Sequence, residues 1–233
     1  GIDWIRFSNR FIKRFGLDPN PVTTQIEPHD SLAESYHILT RINTILIDFT
    51  RDMWLYISRA ILGQKKITGE TGSSTMPHKI NPIYFENAEG NCGLANAVLN
   101  HLANKLTVSR MQRDLSGSTV VRNQGVALGH SFIGLNNLIK GIDRITINQE
   151  NMRAELDKHW EVLTEAIQTI LRKNGHPDAY NKLKKLTRGS YVDQETIHKL
   201  ISDLNITTDD KKSLLKLTPE NYTGLAPELA RLK

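Results

Sequence analysis

The sequence predicts an all-α protein, a bundle of long helices followed by a smaller helical domain. Apolar residues recur every three or four positions through most of the chain, while convincing period-two alternation is nearly absent. One of these periodic stretches runs much further than a compact globule needs, which places it in a bundle or at a subunit interface. At 233 residues, with 39% hydrophobic and 24% charged residues, the chain has the composition of a globular protein with a sizeable core.

Residues 3–15 set Trp4, Phe7, Phe11 and Phe15 on one helical face, and Gly16 ends the pattern. Asp18-Pro19-Asn20-Pro21 breaks the chain into an extended turn. From Asp30 the residues Leu32, Tyr36, Leu39, Ile42, Ile45, Phe49, Met53, Ile57 and Ile61 follow one another by three or four. They predict a helix over 31–62, capped by Asp30 or Ser31, closing near Gly63 and about 45–50 Å long. A loop over roughly 64–81 leads to a second helix, from Pro82 to about Leu102, in which Asn81 is the expected N-cap and Pro82 the first helical residue. A third long helix is expected from near Ser118, carrying Val121, Leu128, Phe132, Leu135, Ile139 and Ile142. Gly125, Gly129, Gly134 and Gly141 interrupt it, each costing a helix about 1 kcal/mol relative to Ala, so close packing is expected to offset them. After residues 143–148 the character changes to four or five shorter helices, with Asp193 as an N-cap and Thr218-Pro219 in cap-then-Pro form. A domain boundary is placed near residue 146, dividing the chain into 1–145 and 146–233.

The sharpest feature is Gly72-Ser73-Ser74-Thr75-Met76-Pro77-His78-Lys79-Ile80-Asn81-Pro82. Glycines at 69 and 72 free the backbone to aim N–H groups inward, and Lys79 and Asn81 make a carboxylate clamp from a point charge and an amide donor. A serine hydroxyl becomes a base only where positive charge and amide donors favour its ionised form. A bare Gly-Ser-Ser would be an ordinary helix cap beside a surface lysine; the attached Met-Pro-x-Lys-x-Asn gives it the context of a site.

This run resembles the signature loop of the fumarase/aspartase superfamily, Gly-Ser-Ser-x-Met-Pro-x-Lys-x-Asn, which fixes seven identities across ten positions. Thr23-Thr24-Gln25-Ile26-Glu27-Pro28-His29-Asp30 upstream and Ser109-Arg110-Met111-Gln112-Arg113-Asp114 downstream are similar to the bacterial-type adenylosuccinate lyase family within it. The resemblance covers essentially the whole chain and implies the helical-bundle fold of that superfamily. It implies that Ser73 is the general base and that Lys79 and Asn81 hold the carboxylates and stabilise the developing aci-carboxylate. Ser74 and Gln25 would touch substrate, Glu86 would support the His acid, and Asn87 would contact substrate. Arg113, Ser118 and Arg122 would hold a nucleotide phosphate, a group that the substrates of fumarase and aspartase lack, and Thr119 would be a further substrate contact. Without the resemblance, Glu86 is an ordinary carboxylate at a helix start and the arginines solvate a helix.

Further expectations follow from the resemblance. The substrates would be succinylated purine nucleotides, with AMP and fumarate as products, and the assembly a homotetramer built on the long helices. The chain opens Gly1-Ile2-Asp3-Trp4, already inside an amphipathic pattern, and reads as the C-terminal portion of a longer lyase whose His acid lies upstream. An argininosuccinate lyase-like relative or a catalytically silent structural relative are the alternatives.

Composition narrows the rest. The formal charge of +5 is spread diffusely along helical faces, which fits anionic small molecules better than nucleic acid. No apolar run reaches the eighteen or so residues of a membrane span. The single cysteine, Cys92, leaves no intrachain disulfide, reads as a packing residue and fits the cytoplasm. The eight histidines form no recognisable ligand set, and the loop lacks the Gly-Lys-Ser/Thr ending of a P-loop, so neither metal nor cofactor is expected.

Overall fold

A computed structural model describes residues 1–65, 81–176, 178, 183–184 and 192–232. These residues fall into two compact units, Gly1–Thr146 and Ile147–Lys233. Ser73, Ser74 and Lys79 lie outside the described residues.

In the first unit, α1 (Trp4–Lys13) starts at Asp3, whose carboxylate accepts from the Arg6 N–H at 3.0 Å. Its aromatic residues form a ladder, with ring centres 5.7, 6.3 and 5.2 Å apart from Trp4 through Phe7 and Phe11 to Phe15. α2 (Asp30–Ser58) is 29 residues, roughly 43 Å long. Neither expected cap holds: Asp30 is already helical, and His29 takes the N-cap position in the left-handed region at φ 62°, without a side-chain cap bond. The far end also differs from expectation. Ala60 adopts φ 55°, and the Ile61 and Ala60 N–H groups donate to the Tyr56 and Ile57 carbonyls, each at 3.0 Å. This is a Schellman stop made without glycine.

Gly63 instead lies in β1 (Leu62–Gln64), which pairs with β2 (Ile145–Ile147). A Cβ at Gly63 would stand 2.6 Å from Thr146 Oγ1, so glycine is required by close approach and not by helix termination. Strands of three residues give no legible alternation, which is why the sequence pattern misses them.

α3 (Ile83–Leu106) begins one residue later than expected, with Pro82 at the N-cap and its carbonyl accepting from Phe85 and Glu86. The third helix is divided into α4 (Ser116–Val121) and α5 (Gln124–Asp143). At the break the Asn123 N–H turns back to the Val120 carbonyl at 2.9 Å, and the Asn123 side chain donates to the Thr119 carbonyl at 3.3 Å.

α3 is the central element, with α2 and α5 antiparallel to it on either side. Ala33 and Tyr36 from the start of α2 and Ala127 from the start of α5 meet Ala95, Leu99, Leu102 and Leu106. At the other end, Phe85 and Ala88 meet Leu138 together with Met53 and Ile57. Gly134 and Gly141 allow this closeness: a Cβ would stand 2.6 Å from Cys92 Sγ and 2.9 Å from the Phe85 ring, respectively. Burial raises the Cys92 thiol pKa, consistent with a packing residue. Asn43, 1% exposed, donates to Asn96 Oδ1 at 3.0 Å and Ser131 Oγ at 2.9 Å, tying the three helices together with a satisfied buried amide.

The second unit contains α6 (Gln149–Leu156), a 3₁₀ turn (Trp160–Leu163), α7 (Thr164–Lys173), α8 (Gln194–Asp203), α9 (Thr208–Leu215) and α10 (Ala226–Leu229). The Asp193 carboxylate caps α8 as the sequence predicts, accepting from the Thr196 N–H at 2.9 Å. Leu163, Ile167, Ile197 and Ile201 are at most 1% exposed and centre an apolar cluster that also holds Trp160, Leu171 and Leu214.

Candidate active site

Among the described residues, the candidates form two groups at opposite ends of α3. The first contains Asn81, Glu86 and Asn87, at its N-terminal end. Asn81 precedes the Pro82 cap, and Glu86 and Asn87 are exposed in the opening turns. Glu86 belongs to the first turn, where the helix dipole favours its charge, and Oε1 accepts from the Trp54 indole N–H at 3.1 Å. That bond from α2 aims the carboxylate, and no spacing rule in the sequence reveals it. The Asn87 carbonyl accepts from Asn91 Nδ2 at 2.8 Å, and Asn91 Oδ1 lies 2.8 Å from His130 Nδ1.

The second group surrounds the C-terminal end of α3. A cavity of about 240 Å³ is lined by Ile26, His29, Lys105, Arg113, Ser118 and neighbouring residues. Gln25 is exposed immediately before Ile26. Lys105 adds a charge from the last turn of α3 and donates to the Val108 carbonyl at 3.0 Å. The fold therefore brings Arg113 and Ser118 together at one cavity. Arg122 is exposed at the C-cap of α4, and Thr119 is exposed one turn earlier.

The short α4 adds little helix dipole at Ser118. Ser118 lies in a six-residue helix, and its N–H and hydroxyl both donate to the Leu115 carbonyl, at 3.1 and 2.7 Å. The break at Arg122–Asn123 separates it from the long α5 that the sequence pattern places behind it. The positive potential at this cavity comes from the side chains of Lys105 and Arg113.

Asp114 organises the loop that presents Arg113. Its carboxylate accepts from the Ser116 hydroxyl, from the Ser116 N–H at 3.0 Å, and from the Arg110 N–H and Nε at 3.3 and 3.2 Å. The Ser116 hydroxyl above all, then Arg110 and the Ser116 amide, hold this carboxyl far below the ordinary range against the opposing effect of burial. Sequence reasoning assigns Asp114 no role; the available signal is an Asp two residues before a Ser at a helix start, the Asx-turn pattern.

Comparison with known proteins follows this architecture. Solved structures share the fold: 3-carboxy-cis,cis-muconate lactonizing enzyme from Pseudomonas putida superposes with a TM-score of 0.65 at 21% identity, covering 94% of this chain and 50% of that one. Class II fumarase from Schistosoma mansoni gives 0.64 at 16% identity, covering 85% and 40%. The class is thus the all-α long-helix fold that these enzymes share. Residues 4–96 match the family described as Lyase, and residues 109–223 match Adenylosuccinate lyase C-terminal. Adenylosuccinate lyase of Legionella pneumophila (strain Corby) is 54% identical over 230 residues, 99% of this chain and 50% of that protein. The enzyme of Escherichia coli (strain K12) is 52% identical over 225 residues, 97% and 49%. The chain belongs to the adenylosuccinate lyase family, and it spans about half the length of the curated relatives it matches.

Proposed function

We propose that this chain forms part of an adenylosuccinate lyase of purine biosynthesis, which eliminates fumarate from adenylosuccinate to give AMP, and likewise from the succinylated imidazole-carboxamide ribonucleotide. Ser73 takes the proton from the carbon beside a succinyl carboxylate. Lys79 and Asn81 hold the carboxylates and carry the developing negative charge, with Ser74 and Asn87 against the substrate. The C–N bond breaks, its electrons return to the amine nitrogen, and a His acid from a segment upstream of the residues present here protonates that nitrogen. Glu86 supports this His. Arg113, Ser118 and Arg122 hold the phosphate, and Gln25 and Thr119 complete the substrate contacts.

The observation that carries this reading is the separation of the two groups. Glu86 and Leu106 are twenty residues apart on one uninterrupted helix, roughly 30 Å, and Arg113 and Ser118 line the same cavity as Leu106. One nucleotide cannot touch both groups of the same chain. That separation supports a composite active site, with the phosphate end of one copy meeting the Asn81 end of another in a homotetramer in the cytoplasm. Exposed apolar residues along α2 and α5, among them Ile45 and Phe132 at 67%, support association through the long helices. The isolated chain, without the His acid, is inactive.

The test uses the full-length lyase that contains this sequence. Ser73→Ala abolishes turnover and leaves AMP binding measurable. Arg122→Ala weakens AMP binding much more than fumarate binding, by the roughly 1.5–3 kcal/mol of a charge-assisted bond. Near-normal turnover in the first variant removes Ser73 from the mechanism, and equal losses for both ligands in the second remove Arg122 from the phosphate.

A further inference from the structure

Residues 66–80, which include Ser73 and Lys79, run between Lys65 and Asn81. Arg144, the C-cap residue of α5, lies against both flanks of this segment. On one side its Nη2 donates to the Lys65 carbonyl at 3.2 Å, and the Lys65 N–H donates to the Arg144 carbonyl at 2.8 Å. The Lys65 ammonium adds a bond to the Asp143 carbonyl at 2.9 Å. On the other side the guanidinium carbon stands 5.2 Å from the centre of the Tyr84 ring, three residues after Asn81. Arg144 is only 9% exposed, and a guanidinium so withdrawn from water depends on partners such as this carbonyl and aromatic face. The surroundings are closely packed. Ile145 packs against the Phe85–Leu138 cluster, and Gly63 approaches Thr146 too closely for any side chain.

We propose that Arg144 is a positioning residue for the lyase reaction. It clamps the two flanks of the segment that carries Ser73 and Lys79, and so fixes the frame from which those groups act. This rests on the roles given to Ser73 and Lys79 above. Arginine suits the task because its planar head lies over a ring while donating hydrogen bonds in its own plane, a combination lysine lacks.

The test makes Arg144→Met, Arg144→Lys and Tyr84→Leu, both in this chain and in the full-length lyase containing it. In this chain, hydrogen exchange at the Lys65 amide and the first turn of α3 accelerates at least tenfold in Arg144→Met and by less in Arg144→Lys. Amides of Leu99 and Ala127, in the apolar cluster towards the other end of α3, keep wild-type rates. In the full-length enzyme, kcat falls at least tenfold while KM stays within about twofold, because the phosphate group at the far end of α3 is untouched. Arg144→Lys recovers part of kcat, and Tyr84→Leu reproduces part of the loss.

Unchanged exchange at the two flanks overturns the clamp. Faster exchange there with unchanged kcat overturns the positioning role, as does uniform acceleration through α3 and α5 in both Arg144→Met and Tyr84→Leu. The exchange measurement does not depend on the chemistry of Ser73. If Ser73→Ala retains turnover while the flanks still loosen in Arg144→Met, the reaction assignment fails and the clamp itself stands.

Discussion

The two units treat their apolar residues in opposite ways. In the second, short helices turn inward on a shared centre, and Leu163, Ile167, Ile197 and Ile201 are almost completely enclosed. In the first, α2 and α5 each give one face to α3 and leave another open. Ile38, Ile42, Ile45 and Phe49 on α2, and Leu128, Phe132, Leu135, Ile139 and Ile142 on α5, are all exposed. Short helices can arrange their apolar stripes around a common point. A straight helix of roughly 43 Å with apolar residues on more than one face cannot be enclosed by two neighbours. The first unit leaves long apolar faces open beside its core, whereas the second folds most of its apolar residues around one centre.

That contrast is broken most directly at the open faces. Ile45→Asp combined with Phe132→Asp weakens self-association of the chain by at least 100-fold in sedimentation equilibrium, the loss expected of two central hot-spot side chains at about 2 kcal/mol each. Far-UV circular dichroism keeps its helical signal, because both side chains are 67% exposed in the single chain. A compact wild-type monomer at micromolar concentration would falsify the assembly claim and return these faces to solvent.

The same contrast explains what the sequence made legible. Helical periodicity finds α1, α2 and α3 because their stripes are long, and it identifies Asp193 because a cap is a local device. It merges α4 with α5, since the apolar spacing continues across Arg122 and Asn123 while the hydrogen bonding does not. It misreads Gly63, whose reason is a partner strand more than eighty residues away. Candidate residues are named by motif, yet their division between the two ends of α3 appears only once the helix is folded. Trp54 on Glu86 is a contact that no spacing announces, and Asp114 on the Arg113 loop leaves only the local signal of an Asp two residues before a Ser.

Glycines on α5 sharpen the comparison within one helix. Gly134 faces α3, where an added Cβ would meet Cys92 Sγ at 2.6 Å and the Ala88 carbonyl at 3.3 Å. Gly129 has nothing within 4 Å. Gly134→Ala therefore destabilises the first unit by about 1–3 kcal/mol through overpacking. Gly129→Ala stabilises the dissociated chain by up to about 1 kcal/mol through helix propensity. Urea unfolding of both variants at a concentration where the chain is monomeric reads the two signs. Equal effects would mean that close approach to Cys92 does not govern α5.

The smallest expected effect belongs to the second unit and is read through pH. Asp210, 8% exposed at the start of α9, accepts from Asn174 Nδ2 and Lys173 Nζ, each at 2.8 Å, and so ties α9 to the end of α7. The Asn174 amide first, then Lys173 and the Thr207 hydroxyl, lower its pKa from 3.8 to about 2. Because the folded-state value lies below the unfolded one, the ionised carboxylate stabilises the fold at pH above 3.8, and that contribution is lost as pH falls through about 2. Asp210→Asn removes the titrating group, so the melting temperature of the second unit should depend less on pH between 4 and 2 in the variant than in the wild type. Hydrogen exchange at Ile167 and Ile201, both in the core of that unit, separates this change from any in the long helices. An unaltered pH dependence in Asp210→Asn would show that the tie between α7 and α9 holds without the charge, and that the enclosed unit owes its acid sensitivity to other groups.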